Sequence, residues 1–211
     1  MTYAGRLDPM ASGLLIILTR EETKKKEKYL KLNKEYEFEV LFGFSTDTHD
    51  ILGEVLNSKN ILVSRDDIKK DLKNFIGENI QKYPIYSSKT VKGKPLFTYA
   101  RSGEEVEIPE RKIFIKKLKL IKIKQMNDKK LSQNIEKRIK KVKGDFRQEG
   151  ILKIWKKKLK GNDARYTIAS FKVSCSSGTY VRVIANSLGD KLKVPSLAYS
   201  IRRTKVGNYV I

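Results

Sequence analysis

Residues 34–42 read Lys34-Glu35-Tyr36-Glu37-Phe38-Glu39-Val40-Leu41-Phe42, and their alternation decides the fold. Tyr36, Phe38, Val40 and Phe42 fall on one side, and Glu35, Glu37 and Glu39 on the other. Side chains of a strand alternate with period two, so this segment is a strand with one face buried and one face wet. Ala169–Cys175 (ASFKVSC) repeats the pattern with Phe171, Val173 and Cys175. Ser176-Ser177-Gly178 then punctuates the chain, and Thr179 opens a helix carrying Val181, Ile184, Leu188 and Leu192 at helical spacing.

Ser64 to Ile76 predicts another helix. Ser64 is its N-cap, Asp66 and Asp67 sit in the first turn, Ile68, Leu72, Phe75 and Ile76 form the stripe, and Gly77 follows. A closing strand is expected over Tyr199 to Tyr209. Helices and strands alternate irregularly, which favours an α+β fold with a mixed, mainly antiparallel sheet flanked by helices. Residues 1–211 then form one domain with two insertions. The segment 82–111 is rich in Tyr, Lys, Ser and Gly with little periodicity. Residues 124–160 read as an amphipathic, lysine-faced helical insertion through Leu131, Ile135, Ile139 and Val142, then Ile151, Ile154 and Trp155.

Charge narrows the partners. Lys plus Arg number 46 against 24 Asp plus Glu, a net charge of +22 in 211 residues. Self-repulsion on that scale opposes a compact state, and a polyanion relieves it by releasing its counterions on binding. Nucleic acid is the first candidate and an anionic membrane surface the second. A cell that simply favours lysine would leave the same excess. No apolar run approaches the ~20 residues of a spanning helix, and no charged-then-apolar leader is present. One cysteine, Cys175, excludes an internal disulfide framework, and one Cys with one His does not make a zinc site from the usual ligands. The expectation is a cytoplasmic, metal-free chain.

Chemistry must run on few residue types. His49 is the single histidine and no GxxxxGK[ST] loop occurs, which leaves carboxylate, tyrosine, lysine or arginine. Asp8-Pro9, between Gly5 and Gly13, is a turn former's pattern by itself. Tyr36, on the apolar side of its strand, is by itself more often core than ligand. Arg182 near a helix start suits a surface charge, Tyr180 suits packing, and Ile201 suits core.

Five motifs taken together point further. Gly5-Arg6-Leu7-Asp8-Pro9-Met10-Ala11-Ser12-Gly13-Leu14-Leu15 resembles the catalytic motif of the TruB-type pseudouridine synthases, which modify uridine 55 in the T loop of tRNA. Lys34-Glu35-Tyr36 with Gly43, Thr46-Asp47-Thr48 and Asp50 is similar to that family's second motif. Pro84-Ile85-Tyr86-Ser87-Ser88 through Gly93-Lys94 to Tyr99-Ala100-Arg101 looks like its third, the T-arm grip. Ser177-Gly178-Thr179-Tyr180-Val181-Arg182 and Arg202-Arg203-Thr204 with Val206-Gly207 complete the set in the family's order.

The resemblance implies an isomerase that cleaves the N1–C1′ bond of a uridine, turns the base over and joins C5 to C1′, with no metal and no cofactor. It implies that Asp8 is the catalytic carboxylate, a nucleophile or a general base. Arg182 then pairs with Asp8, Tyr36 packs on the target base, and Tyr180 and Ile201 wall the uracil pocket. Tyr86, Lys89, Lys92, Lys94, Tyr99 and Arg101 have the composition of an RNA grip, although a solvated polar loop has it too. The expected partner is tRNA and the expected state a monomer. A ribosomal-RNA synthase of a sister family, or a non-catalytic RNA-binding protein of the same fold, stand as alternatives.

Departures from the pattern carry their own expectations. The family's Lys-Pro and Thr-Ser segment and its C-terminal RNA-binding extension are not in this sequence, so a start upstream or an N-terminally truncated form is expected. Tyr3 stands where the family has a histidine, and His49 stands where glycine is common.

Overall fold

The computed structural model describes residues 1–161 and 163–211. Its centre is a seven-stranded sheet. Lys34–Phe42 lies between Arg165–Cys175 and Ser196–Val206, antiparallel to both. Beyond Arg165–Cys175 come Glu110–Asn127 and then Gly77–Lys82, again antiparallel. Tyr209–Val210 folds back on Ser196–Val206, and Ala11–Gly13 runs parallel beside the same strand. The sheet is therefore mixed and mainly antiparallel, as the irregular alternation of helices and strands implies.

Each face of the sheet has its own core. On one, Tyr36, Phe38, Val40 and Phe42 pack with Phe171, Val173 and Cys175 beneath the helices Arg65–Leu72 and Val181–Leu192. Phe38 and Phe171 stack with ring centroids 5.2 Å apart. On the other, Leu41, Ile168, Leu197 and Tyr199 meet the helices Asp128–Ile139 and Gln148–Lys158 through Leu131, Ile135, Ile139, Ile151 and Trp155. The Trp155 indole N–H donates to the Ile51 carbonyl at 3.0 Å, which ties the second helix to the loop after the central strand. Each such aliphatic side chain contributes about 1.5–3 kcal/mol by leaving water.

Several boundaries differ from the sequence expectation. The first helix is Arg65–Leu72, followed by a 3₁₀ turn Lys73–Phe75. Ser64 caps it in a reciprocal pair with Asp67, as expected, but Ile76 is exposed rather than part of the stripe. The helix expected from Thr179 spans Val181–Leu192, with Tyr180 as its N-cap. The last strand begins at Ser196 and ends at Val206, because Gly207 turns the chain with φ +57°.

Residues 124–127 belong to the 18-residue strand Glu110–Asn127, which sequence alternation does not reveal. The reason lies in its two register shifts, between Ile115 and Lys117 and between Leu120 and Lys122. Each inserts one residue and reverses the parity, so the core-facing set runs Ile113, Ile115, then Leu118, Leu120, then Ile123. The segment 82–111 holds a small hairpin, Thr90–Val91 with Lys94–Pro95, and the helix Leu96–Ser102.

Candidate active site

The Asp8 turn is held from both ends. Thr2–Ala4 pairs with Ile16–Leu18, and Ala11–Gly13 pairs with Ile201–Arg203 of the sheet. Arg203, almost fully buried, donates from Nε to the Leu14 carbonyl at 2.7 Å and from Nη2 to the Gly5 carbonyl at 2.9 Å. Gly13 has φ +109°, and a Cβ there would collide with the Arg203 carbonyl oxygen. The glycine is required by the approach of the two backbones. Within the turn the Ala11 N–H donates to the Asp8 carbonyl at 2.8 Å, which leaves the Asp8 carboxylate facing a cleft of about 970 Å³.

Arg182 meets that carboxylate from the second residue of the Val181–Leu192 helix. Its Nε lies 3.0 Å from Asp8 Oδ2 and its Nη2 donates to Oδ1 at 3.3 Å. The guanidinium is 3 % exposed. It also donates to the Thr48 carbonyl at 2.9 Å and to the Tyr86 carbonyl at 2.8 Å. Three separated segments therefore fix one cation against Asp8.

The remaining expected residues divide into those at the cleft and those away from it. Tyr36, Tyr180 and Ile201 line it with Asp8 and Arg182. Burial pushes the Tyr36 phenol up to about 12, so it stays protonated and can donate. Tyr180 is also raised, by burial first and then by Asp8. Its backbone N–H donates to Gln81 Oε1 at 2.8 Å, and the Gln81 amide returns a bond to its carbonyl. Tyr86 and Arg101 line the cleft as well. Lys89, Lys92 and Lys94 do not; they are exposed on the 82–111 segment, Lys89 over the Tyr83 ring and Lys94 paired with Glu104. Tyr99 is buried, its hydroxyl donating to the Val91 carbonyl at 3.0 Å. It braces the hairpin, and its ring is turned into the segment rather than toward solvent, unlike the exposed Lys89, Lys92 and Lys94.

Other cleft residues escape a reading by residue type. Asp50 is buried, its Oδ1 accepting from Thr48 Oγ1 at 2.8 Å and from the Leu52 N–H at 2.9 Å. Desolvation pushes it up to about 6, with Arg182 opposing and Asp8 reinforcing the rise. His49 adopts φ +62°, the left-handed region that suits the glycine expected there. Its imidazole is pushed down by burial and by Arg182. Tyr3 lies outside the cleft lining, its hydroxyl accepting from Arg6 at 2.6 Å. Residues 141–147, from the turn between the two inserted helices, form a further wall. Only the charge of that turn is legible in sequence; its position depends on how the helices pack. Among the described residues no cluster of His, Cys, Asp or Glu is arranged to hold a metal, and no helix is long and apolar enough to cross a membrane.

The fold recurs in solved structures of larger assemblies. The chain superposes on a chain of the crystal structure of a Cbf5-Nop10-Gar1 complex with a TM-score of 0.57 at 19% identity, over 99% of this chain and 40% of that one. It also matches a chain of an H/ACA RNP bound to a substrate RNA containing 2′-deoxyuridine, with a TM-score of 0.55 at 18% identity, over 99% and 39%. Residues 1–146 match the TruB family pseudouridylate synthase (N terminal domain). The chain belongs to the TruB family. It is 35% identical to tRNA pseudouridine synthase B of Caldanaerobacter subterraneus subsp. tengcongensis, over 99% of this chain and 60% of that protein. Against the enzyme of the same name from Caldicellulosiruptor saccharolyticus the identity is 32%, over 99% and 58%. Against that from Malacoplasma penetrans it is 30%, over 98% and 73%. The chain thus spans somewhat under two thirds of the length of the first two relatives.

Proposed function

We propose that this chain is the catalytic domain of a tRNA pseudouridine synthase that isomerises a T-loop uridine, position 55, with Asp8 as its catalytic group. The observation that carries the reading is the Asp8–Arg182 pair, set in a cleft walled by Tyr36, Tyr180 and Ile201. A uridine inside a folded loop is reached only by leaving its stack, and the cleft is large enough to take an extruded nucleotide. Asp8 then acts on the C1′ or C6 side as nucleophile, or as general base. The N1–C1′ bond breaks, uracil turns over and C5 joins C1′; the C5 proton then leaves and N1 takes up a proton, so the product is an isomer of uridine. Arg182 holds the Asp8 carboxyl in place under the base, while Tyr36 and Ile201 hold the ring flat and exclude water. The 82–111 segment grips the RNA arm through Tyr86, Arg101 and the exposed Lys89, Lys92 and Lys94. A cytoplasmic monomer fits this reading, and the identities to enzymes named tRNA pseudouridine synthase B support it.

The test is incubation with unmodified tRNA transcripts and mapping of pseudouridine. Product at the T-loop uridine, abolished by Asp8→Asn, is expected. Product elsewhere in the RNA would remove the T-loop assignment, and no product at any position would remove the enzymatic one.

A further inference from the structure

The turn between the two inserted helices is stitched to the cleft rather than left in solvent. Arg147 Nη2 lies 2.9 Å from Asp47 Oδ2 and its Nη1 lies 3.0 Å from Glu54 Oε1. The same guanidinium sits over the Tyr86 ring, 4.6 Å from its centroid, and the Tyr86 carbonyl is one of the acceptors that hold Arg182. From the other side, Arg101 donates to the Asp145 carbonyl at 3.0 Å. The turn is also closed on itself, because Gln148 donates to the Gly144 carbonyl at 2.6 Å and accepts from the Phe146 N–H at 2.8 Å. Arg147 has φ +62°, a left-handed conformation that a non-glycine residue keeps only where its surroundings enforce it.

Electrostatics gives this ordered turn a direction. Arg147 bridges Asp47 and Glu54, carboxylates that would repel a polyanion at this rim, and offsets one of their two charges. Asp145 accepts from the Arg147 N–H and Lys140 is paired with Glu136. Lys141 and Lys143 line the same cleft as Asp8, are exposed, and have no ion-pair partner among the described residues. Two ammonium groups without an ion-pair partner, on this hydrogen-bonded edge above a pocket sized for a nucleotide, are placed for phosphates flanking that nucleotide.

We infer that the 141–147 turn is a second RNA-gripping wall of the cleft, in which Lys141 and Lys143 contact the phosphate backbone of the bound RNA. The helices Asp128–Ile139 and Gln148–Lys158 carry it there, and Arg147 locks it to the 82–111 segment. The inference rests on the proposed function, since it assigns a surface to that function's RNA.

The experiment measures filter binding of an unmodified tRNA transcript over a potassium chloride series, with Asp8→Asn present throughout to prevent turnover. Lys141→Glu with Lys143→Glu is compared with Lys157→Glu plus Lys158→Glu, which makes the same charge change on exposed residues of the insertion outside the cleft lining. Two lost phosphate contacts should flatten the log K against log[salt] slope by about 1.4–1.8 and weaken low-salt binding by roughly tenfold or more. The control pair should change the slope by less than half as much. Lys141→Gln with Lys143→Gln repeats the test if the reversed pair unfolds. An unchanged slope, or equal changes in both pairs, overturns the inference while leaving the proposed function intact. Absence of pseudouridine in the transcript with the unaltered chain, or failure of the Asp8→Asn parent to bind it, overturns the proposed function, and the inference with it.

Discussion

Arg182 reaches Asp8 across 174 residues of chain and holds it with Nε 3.0 Å from the carboxylate. The same guanidinium satisfies the carbonyls of Thr48 and Tyr86, so the pair joins the Asp8 turn, the loop after the central strand and the 82–111 segment. Each of these contacts suggests a perturbation with a distinct outcome.

Replacing Asp8 by Asn keeps the shape of the turn and removes its charge. Loss of an acid–base or nucleophilic group should lower modification of tRNA by about 10²–10⁴-fold or more. Binding of the transcript should stay within about threefold, because phosphate contacts elsewhere dominate affinity. Single-turnover assay and filter binding read the two quantities separately.

Arg182→Met should destabilise the fold as well as the site. It strands the Thr48 and Tyr86 carbonyls, at about 1–3 kcal/mol for each buried group left unpaired. Arg182→Lys keeps the charge but not the fork, and should recover part of the stability with little of the activity. Urea unfolding beside the modification assay separates these effects.

Gly13→Ala tests the clamp on the Asp8 turn. The left-handed conformation alone costs an alanine about 1–2 kcal/mol, and its Cβ would push against the Arg203 carbonyl. A lowered urea midpoint together with reduced activity is expected. A midpoint equal to that of the unaltered chain would show that the turn does not need this approach.

Ile135→Ala asks whether the 124–160 insertion is part of the body. Ile135 is completely buried in the second core, and such truncations cost about 2–5 kcal/mol. An independent appendage would melt on its own; a shared core predicts one shifted cooperative transition, readable by circular dichroism.

Asp50 supplies a pH dependence with a definite sign. Burial raises it from 3.8 to about 6, so the folded chain binds this proton more tightly than the unfolded one. Its contribution to stability is full below pH 4 and is lost as pH rises through 6, on the order of 3 kcal/mol at 1.36 kcal/mol per unit. Asp50→Asn should remove that decline, seen as a smaller drop in urea midpoint between pH 4 and pH 6.5 than in the unaltered chain.

Much of the sheet was legible before any coordinates, because alternation along residues 34–42 and 169–175 is local and unbroken. The Glu110–Asn127 strand was not, since its two bulges reverse the parity and hide Ile113, Leu118 and Ile123 among lysines. In the same way, the motifs supply Asp8, Tyr36, Tyr180, Arg182 and Ile201, and all five line one cleft. Residue type does not separate Tyr99 from Tyr86. Both sit in a basic segment, yet one ring is buried against a hairpin and the other lies under Arg147 at the cleft. Near neighbours in the chain suffice for the strands of unbroken period, the charge and the candidate carboxylate. What Arg147, Asp50 and the 141–147 turn face is set by long-range packing. Helix packing brings residues about a hundred positions apart within hydrogen-bond reach, and no local pattern records that distance.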